Sequence, residues 1–457
     1  MSITRVVSEG LAHFSYFIAN EGTASVIDPR RDCDVYLDLA RKAGVQITRI
    51  FETHRNEDFV VGSLELFERT GAEIFHGPGL DWGYGTTLNN GQKFPIGGIE
   101  LKAMQTPGHT EESISYVLYD DPSRSTAAAV FTGDALFAGE VGRTDLLGHD
   151  QTARLAGLLY DSIHNKILPL GDGALLFPAH GAGSVCGSDI SEREFTTVGI
   201  EKQSNPLLKL NRWDFVEHKI GERLDRPPYF RRMEMLNLSK RPTMTGLPDP
   251  KPLPPKAFAA ARSRGAVIVD TRSPEGFAGA HIDGSESIWM DGLASYAGWL
   301  LQYDVPLLLV VEDPVHVETA VRTLVRLGFD NILGYLRGGL VQWCHDDMPF
   351  KTLRTASVED LKAMLDAKDR VMVLDPRPHH EWTKKHLSEA RNIFVGELEA
   401  NLAQVPKDRL IASMCSVGFR GGMAAAILQR NGYENVLNIL GGVSAWTAAG
   451  YPVVKGD

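Results

Sequence analysis

The stretch Glu52-Thr53-His54-Arg55-Asn56-Glu57-Asp58-Phe59 follows an apolar, β-branched run at residues 45–51 and opens a loop at the end of that predicted strand. A loop that binds two metal ions would carry imidazoles at positions 54, 56 and 59 and a carboxylate at position 58, because two such cations need many nitrogen and oxygen donors close together. Here Asn56 offers a weak amide oxygen and Phe59 offers no donor, so only His54 and Asp58 can serve. The stretch therefore predicts a single metal ion whose remaining ligands come from elsewhere in the chain.

Three further polar residues follow predicted strands in the same way. His109 lies in TPGHT at residues 106–110, Asp134 ends FTGD at residues 131–134, and His180 ends FPAH at residues 177–180. Loops at the ends of neighbouring strands meet at one edge of a sheet, so these residues are predicted to converge with His54. The supporting elements are a helix at residues 151–168 and strands at residues 24–28, 47–51, 99–104, 114–118, 127–131 and 174–177.

The composition limits the class of protein. The 457 residues suggest about three domains of ~150 residues each, and a hydrophobic content of 43% is ample for packed cores. A net charge of -11 without a basic block argues against a nucleic acid or an acidic membrane as partner. The sequence shows neither a signal peptide nor a run of about 18 apolar residues, and its four separated cysteines suit a reducing compartment, so a cytoplasmic location is expected.

Taken together, these motifs resemble those of a known family. His54 with Asp58, TPGHT, FTGDALF at residues 131–137, GRTD at residues 142–145 and PAH at residues 178–180 are similar to the motifs of metallo-β-lactamase-fold proteins and, among them, of persulfide dioxygenases. The resemblance covers about the first 220 residues and implies an αββα sandwich. It also implies one Fe(II) per chain, held by His54, His109 and Asp134 as the two-histidine, one-carboxylate triad of non-haem iron oxygenases. The losses at positions 56 and 59 spare these three ligands and argue against a binuclear hydrolase.

Four residues near these motifs have expected secondary roles. Asp58 and His180 are expected to orient ligands or to hydrogen-bond water or oxygen, the alternative being that they are remnants of a second metal site. Arg143 is expected to contact the carboxylate of a thiol cofactor, the alternative being a salt bridge within its loop. Cys186 lies in a glycine-rich loop at residues 181–187 and is either a second active thiol or a packing residue.

The composition changes between the N-terminal region and the rest of the chain. Residues 221–256 are predicted to be a linker, an ordered strap, because proline is too frequent there for a helix or a central strand. The prolines that carry this prediction are Pro242, Pro248, Pro250, Pro252, Pro254 and Pro255.

The remainder of the chain contains an internal duplication. The run VIVDTR at residues 267–272, followed by His281, recurs as VMVLDPR at residues 371–377, followed by His386. Strands alternate with helices in both copies, which predicts two domains with parallel sheets, at residues 257–350 and 351–457. Both copies resemble rhodanese domains, and the polar residues Asp375, Arg377 and Glu381 are expected to brace the loops around the site.

The two copies differ in the composition of one loop. In the second copy, Cys415-Ser416-Val417-Gly418-Phe419-Arg420 lies between a strand and a helix and matches the six-residue active loop of rhodaneses. A thiol at a helix N-terminus meets backbone N–H donors and the positive end of the helix dipole, and Arg420 adds charge, so Cys415 is predicted to be a nucleophile that carries a sulfane sulfur. The corresponding stretch of the first copy, Val311-Glu312-Asp313-Pro314-Val315-His316, has no thiol and carries two carboxylates, so that copy is predicted to be catalytically silent, a spacer or an assembly surface.

The resemblance to persulfide dioxygenase–rhodanese fusion proteins covers nearly the whole chain and implies one pathway. An Fe(II) dioxygenase would use O2 to oxidise a persulfide of glutathione, coenzyme A or a similar thiol to sulfite, and Cys415 would interconvert sulfite and thiosulfate. A homo-oligomer, dimer or tetramer, is expected. Two other classes stay open, a zinc-dependent thioester hydrolase of the same fold and a non-oxidative sulfur carrier.

Overall fold

The computed structural model describes residues 1–123, 126–187, 189–222 and 224–456. These residues divide into two units, Met1–Leu247 with Val325–Gly328, and Pro248–Leu324 with Phe329–Asp457. The first unit contains two six-stranded sheets, and the second contains two five-stranded sheets. None of the helices in the described part of the chain has the length and apolar character needed to span a bilayer.

The sheets of the first unit follow the chain in order, since the first runs β1-β2-β3-β4-β5-β6 and the second β12-β11-β10-β9-β8-β7. Each strand predicted in this region is present, with ends within two residues of the expected ones. The strands are β1 Ser2–Ser8, β2 His13–Asn20, β3 Thr23–Ile27, β4 Gln46–Phe51, β5 Glu73–His76, β6 Thr86–Thr87, β7 Lys93–Ile96, β8 Ile99–Gln105, β9 Ile114–Tyr119, β10 Ala129–Gly133, β11 Leu175–Pro178 and β12 Thr196–Thr197.

Side-chain alternation along the strands creates three apolar layers in this unit. Phe51 on β4 points into an aromatic core that both sheets share, while its neighbour Ile50 points to the opposite face of the first sheet. That outer face is covered by α1 and α2, and the outer face of the second sheet is covered by α3 and α5. The helices are α1 Asp34–Ala43, α2 Ser63–Thr70, α3 His149–Ser162, α4 Val198–Ser204, α5 Arg212–Gly221 and α6 Phe230–Leu238. The predicted αββα sandwich is confirmed.

The interval predicted to be a linker, residues 221–256, contains more regular structure than that prediction allowed. Helix α6 lies within it and buries Phe230, Met233 and Asn237. Near its end, Lys251–Leu253 forms a strand at the edge of the next sheet, paired with one neighbour only. An edge strand tolerates proline because one side of its backbone needs no partner, which is why the proline-rich composition did not prevent a strand here.

The two sheets of the second unit have the same order. When the five strands of each sheet are numbered in chain order, the spatial order in both sheets is first, fifth, fourth, second, third. All pairings are parallel. The predicted duplication into two parallel α/β domains is confirmed. The strands are β13 Lys251–Leu253, β14 Val267–Asp270, β15 Glu286–Ser287, β16 Leu307–Val310, β17 Ile332–Leu336, β18 Arg354–Ala356, β19 Val371–Asp375, β20 Ala390–Asn392, β21 Leu410–Ser413 and β22 Val436–Ile439.

The helices of the second unit also repeat, and so does a buried ion pair. In the first copy Arg272 donates to the Asp270 carboxylate at 2.6 Å, and in the second Arg377 donates to Asp375 at 2.6 Å. Each pair closes the turn after the second strand of its sheet, as expected for bracing residues. The helices are α7 Pro255–Ser263, α8 Pro274–Gly279, α9 Leu293–Leu300, α10 Val317–Arg326, α11 Gly339–His345, α12 Val358–Asp366, α13 His379–Trp382, α14 Phe419–Arg430 and α15 Gly442–Ala448.

Candidate metal centre and thiol loop

The strand ends of the first unit bring the predicted metal ligands together. His54 follows β4, His109 lies between β8 and β9, and Asp134 directly follows β10. Asp134 Oδ2 lies 3.5 Å from His109 Nε2 and 3.9 Å from His54 Nε2, and all three side chains are buried. The three side chains thus converge on one small volume.

Hydrogen bonds fix which nitrogen each imidazole presents. His109 Nδ1 donates to the carbonyl oxygen of Arg143 at 2.9 Å, so in the neutral ring the lone pair lies on Nε2, the atom that a metal ion can bind in place of a proton. The hydroxyl of Thr53 lies between His54 Nδ1, at 2.9 Å, and Asp28 Oδ2, at 2.7 Å. Both rings are therefore held through Nδ1 and present Nε2 to the centre, as metal-binding histidines do.

Glu57 is a member of this cluster that the sequence interpretation missed. Its Oε1 lies 3.2 Å from His109 Nε2, its Oε2 lies 3.9 Å from His54 Nε2, and its side chain is fully buried. The expectation that only His54 and Asp58 of the motif can serve is corrected by this geometry. The spacing of a two-metal motif assigns no role to position 57, and the only signal in the sequence was a second carboxylate next to Asp58.

A second group of polar side chains adjoins the first. His180 links two carboxylates, with Nδ1 donating to Asp134 at 2.8 Å and Nε2 lying 2.9 Å from Asp58 Oδ2. This arrangement is what a ligand-orienting role for Asp58 and His180 requires. The thiol of Cys186, also buried, donates to Glu57 Oε1 at 3.6 Å.

Charge is concentrated in this buried cluster. Burial alone would raise the pKa of Glu57, but the His109 ring lowers it to about 2. Burial alone would also raise the pKa of Asp134, yet His180, His54 and His109 hold it well below its usual range. Conversely, burial would lower the pKa of His109, and Glu57 and Asp134 raise it to about 9. The two carboxylates stay ionised away from water and therefore favour a cation at the imidazole nitrogens.

The residues present fit a metal ion. Buried polar atoms are nearly always hydrogen-bonded in proteins, yet His54 Nε2, His109 Nε2 and Glu57 Oε2 have no hydrogen-bond partner among the described residues. Two donors that bind one ion at about 2.1 Å lie roughly 3.0 to 3.4 Å apart, and the donor separations here run from 3.2 to 3.9 Å. Imidazole and carboxylate donors together suit a borderline divalent ion, including Fe(II) and Zn(II).

Arg143 adjoins the centre through its carbonyl oxygen, and its side chain is held by groups of neighbouring loops. Its guanidinium forms two hydrogen bonds of 2.7 Å with Asp145 and donates to the carbonyl oxygens of Val185 and Asp225. The side chain is buried. The geometry shows the salt bridge within the loop, which holds the segment that carries Cys186, and contact with a substrate carboxylate stays a prediction.

Helix α6 closes the metal-binding loop from outside. The Asn237 amide donates to the carbonyl oxygens of Asn56 and Phe59, at 2.7 and 2.8 Å, and its Oδ1 accepts from the Val61 N–H at 3.0 Å. One side chain therefore satisfies three backbone groups of the loop. The sequence interpretation placed Asn237 in the linker, and no local pattern identified it.

In the second unit, Cys415 lies buried at the start of the loop before α14. The Gly418 N–H donates to Cys415 Sγ at 3.1 Å. The carbonyl oxygen of Cys415 accepts from the Val443 N–H at 2.8 Å, and a Cβ at Gly442 would lie only 2.1 Å from that oxygen. Glycine at position 442 therefore permits the close approach that fixes the loop.

Arg420 is held by the loop and by α13. It donates to the two oxygens of Glu381 at 2.5 and 2.9 Å and to Ser416 Oγ at 2.9 Å. Burial alone would lower the pKa of Arg420, but Glu381 raises it. Arg420 thus stays charged beside the thiol loop, where Glu381 positions it.

The first copy, whose own loop at residues 311–316 has no thiol, contributes side chains next to this loop. Trp289 packs on the Phe419 ring with centroids 5.0 Å apart and on Tyr296 with centroids 5.4 Å apart. Burial raises the pKa of Tyr296, and the nearby charge of Arg420 opposes that rise. These tertiary contacts leave no trace in a sequence pattern, so the prediction of a spacer or an assembly surface did not specify them.

Comparison with known proteins agrees with both halves of the chain. A model described as the metallo-beta-lactamase superfamily matches residues 9–180, and one described as a rhodanese-like domain matches residues 254–346 and 357–449. The hydroxyacylglutathione hydrolase GloC of Haemophilus influenzae is 26% identical over 211 residues, 41% of this chain and 89% of its own. The mitochondrial persulfide dioxygenase ETHE1 of Bos taurus is 29% identical over 214 residues, 45% of this chain and 73% of its own.

A solved structure extends the similarity beyond the first unit. The crystal structure of a metallo-beta-lactamase from Staphylococcus aureus subsp. aureus COL superposes with a TM-score of 0.66 at 29% identity and covers 74% of this chain and 99% of that one. The chain therefore consists of an N-terminal metallo-β-lactamase domain followed by two rhodanese-like domains, and persulfide dioxygenases are among its homologues.

Proposed function

We propose that the chain is a non-haem Fe(II) persulfide dioxygenase joined to a Cys415 sulfurtransferase, acting in sulfide detoxification. The observation that carries the proposal is the buried convergence of His54, His109 and Asp134, two imidazoles and a carboxylate, in one chain with a rhodanese thiol loop. The substrate would be a persulfide of a small thiol such as glutathione or coenzyme A.

His54, His109 and Asp134 would hold the iron, one ion per chain. Iron bound by such a triad supplies the redox chemistry that joins O2 to a substrate sulfur. The reaction balances as RSSH, O2 and water giving RSH and sulfurous acid, which ionises to sulfite.

The chain's own residues have defined tasks around that ion. His180 orients Asp134 through Nδ1 and is itself held by Asp58. Arg143 and Asp145 hold the loop that places Cys186 beside Glu57. Burial raises the pKa of Cys186 well above its usual value, so this residue stays a thiol and serves as a hydrogen-bond donor to Glu57.

Cys415 would carry sulfur between the two products. Its thiolate attacks the outer sulfur of RSSH, the S–S bond breaks, and RSH leaves, so that Cys415 becomes a persulfide. Sulfite then takes that outer sulfur, which releases thiosulfate and restores the Cys415 thiolate. The Gly418 N–H and the charge of Arg420 stabilise the sulfur anion in both steps.

The test is anaerobic reconstitution of the full chain with Fe(II), followed by O2 uptake and product analysis with glutathione persulfide and coenzyme A persulfide. We expect O2 uptake that depends on both iron and persulfide, with sulfite as the product, and loss of this uptake in Asp134→Ala. Iron-loaded protein that consumes no O2 with any persulfide would overturn the proposal.

A zinc-dependent thioester hydrolase is the second candidate. It is favoured by the donors Asp58, His180 and Cys186, which lie close enough to one another to hold an additional cation. GloC, a hydrolase by name, is one of the relatives. Metal analysis decides between the two, because stoichiometric zinc with thioesterase activity supports the hydrolase. A non-oxidative sulfur carrier would have no need of the three buried ligands.

A further inference from the structure

Glu57 is the feature of the first unit that the proposed function leaves without a task. Both of its carboxylate oxygens face the nitrogens that the triad presents, Oε1 at 3.2 Å from His109 Nε2 and Oε2 at 3.9 Å from His54 Nε2. The side chain is fully buried, and its Oε2 has no hydrogen-bond partner among the described residues.

A simple ion pair with His109 does not account for this placement. His109 Nε2 also lies 3.5 Å from Asp134, and His54 Nε2 lies 3.9 Å from both carboxylates. Two buried carboxylates that converge on the same two nitrogen atoms repel each other unless a cation lies between them. An ion pair would satisfy His109 alone and would leave His54 Nε2 and Glu57 Oε2 without partners.

The neighbouring residue shows why the carboxylate comes from position 57. Asn56 occupies the position at which a two-metal loop would carry an imidazole, and its amide turns back to donate to the carbonyl oxygen of His54 at 3.3 Å. Glu57 fills the space beside His54 and His109 instead. The loop thus replaces an imidazole at one position with a carboxylate at the next.

We propose that Glu57 is a fourth protein ligand of the metal ion, so that the centre has two histidines and two carboxylates. The inference rests on the proposed metal centre but not on the identity of the reaction. Two carboxylates neutralise the charge of a divalent ion inside the protein, which strengthens its retention in a site shielded from water. Glu57 would also leave one fewer position open to substrate than the triad does.

The experiment measures metal binding rather than turnover. Metal-free full-length protein is titrated with Co(II) and, anaerobically, with Fe(II), in competition with a chelator, and the visible spectrum of bound Co(II) is recorded. In Glu57→Gln we expect affinity to fall by about tenfold or more and the Co(II) spectrum to change, since a lost ligand affects binding at least as much as a lost ligand-orienting group.

Two further variants keep the test decisive. Glu57→Asp retains the charge but shortens the side chain, so it also weakens binding if the oxygen atom is a ligand, and it remains informative if Glu57→Gln does not fold. Glu52→Gln is the matched control, because Glu52 is a buried glutamate of the same stretch that hydrogen-bonds to Tyr84 away from the centre. We expect wild-type affinity and spectrum in this control.

Wild-type affinity together with an unchanged Co(II) spectrum in both Glu57 variants would overturn the proposal and leave Glu57 as an ion-pair partner of His109. This outcome is separate from failure of the proposed function, because the wild-type chain can bind metal through Glu57 whether or not it consumes O2 with persulfides.

Discussion

The two rhodanese-like copies carry loops at equivalent positions, but the residues and the hydrogen bonds of these loops differ. Both loops follow the fourth strand of a sheet with the same strand order, after β16 in one copy and after β21 in the other. In the first copy Asp313 Oδ1 accepts the N–H of Val315 at 2.9 Å, and in the second Cys415 Sγ accepts the N–H of Gly418 at 3.1 Å. A carboxylate oxygen of Asp313 thus accepts a backbone N–H in one loop, and the sulfur of Cys415 accepts a backbone N–H in the other.

This difference shows how the composition of one loop can change while its domain stays intact. The brace between Asp270 and Arg272 matches that between Asp375 and Arg377, and the two sheets have the same strand order, so the absence of a thiol from the loop at residues 311–316 leaves the fold unaltered. The first copy also places an aromatic side chain against the loop of its neighbour. The copy that is predicted to be silent therefore still contacts the loop that carries Cys415.

The largest expected effect comes from removing the thiol. In Cys415→Ser we expect thiosulfate formation to be lost completely, because no other residue of the loop can carry a sulfane sulfur. Persulfide-dependent O2 uptake should be retained, since the metal centre is built from other residues. Both are measured on iron-loaded protein, and an unchanged thiosulfate yield would disprove the coupling of the two activities.

A second test introduces the carboxylate of the first loop into the loop that carries Cys415. Val417 stands where the first loop has Asp313 and is 51% exposed, so Val417→Asp is sterically tolerated. We expect sulfur transfer by Cys415 to slow by about tenfold or more, because like charges about 4 Å apart repel by about 1 kcal/mol in water and about 4 kcal/mol near a protein surface. Val417→Asn is the uncharged control for stopped-flow measurement of Cys415 persulfide formation, and an equal rate in the two variants would argue against charge as the cause of silence.

A smaller effect is expected from the aromatic contact between the copies. Trp289→Ala removes the ring that packs on Phe419 at 5.0 Å, and such pairs contribute about 0.5 to 1.5 kcal/mol. We therefore expect sulfur transfer to fall by about two- to tenfold. Phe350→Ala, which removes an exposed aromatic ring of the same copy, is the control. Equal rates in both variants would return the first copy to the role of a spacer.

The smallest effect belongs to the first loop itself. Asp313→Ala removes the side chain that accepts the Val315 N–H, and loss of such a cap costs about 0.5 to 2 kcal/mol of stability. We expect a lower thermal midpoint for the second unit in calorimetry and no change in sulfur transfer. A loss of transfer at unchanged stability would mean that the first loop takes part in the reaction.

Much of the architecture was predictable because it depends on local patterns. The ends of β4, β10 and β11 followed from apolar runs ended by polar residues, and the duplication followed from repeated motifs. The directions of individual side chains did not follow. Glu57 joins the buried histidines and Arg143 pairs with Asp145 because of packing that no spacing in the sequence reports.

Contacts between distant segments were beyond reach for the same reason. Asn237 lies in a helix inside a stretch whose prolines suggested a linker, and Tyr296 lies in the copy whose loop has no thiol. Each acts on a loop that is far away in the sequence. Local periodicity defines which residues are buried, but it does not define what they are buried against.

The hydrogen bonds of Asn237 have a consequence for biosynthesis. Every predicted iron ligand precedes residue 220, but the loop that carries His54 has three of its backbone groups satisfied by a residue near the end of α6. A nascent chain that has emerged only to residue 220 carries the ligands without the side chain that fixes their loop. Since domains generally fold as units during synthesis, the loop gains these three hydrogen bonds only after α6 has emerged, and a metal ion held by the predicted ligands would have its final surroundings only from that point.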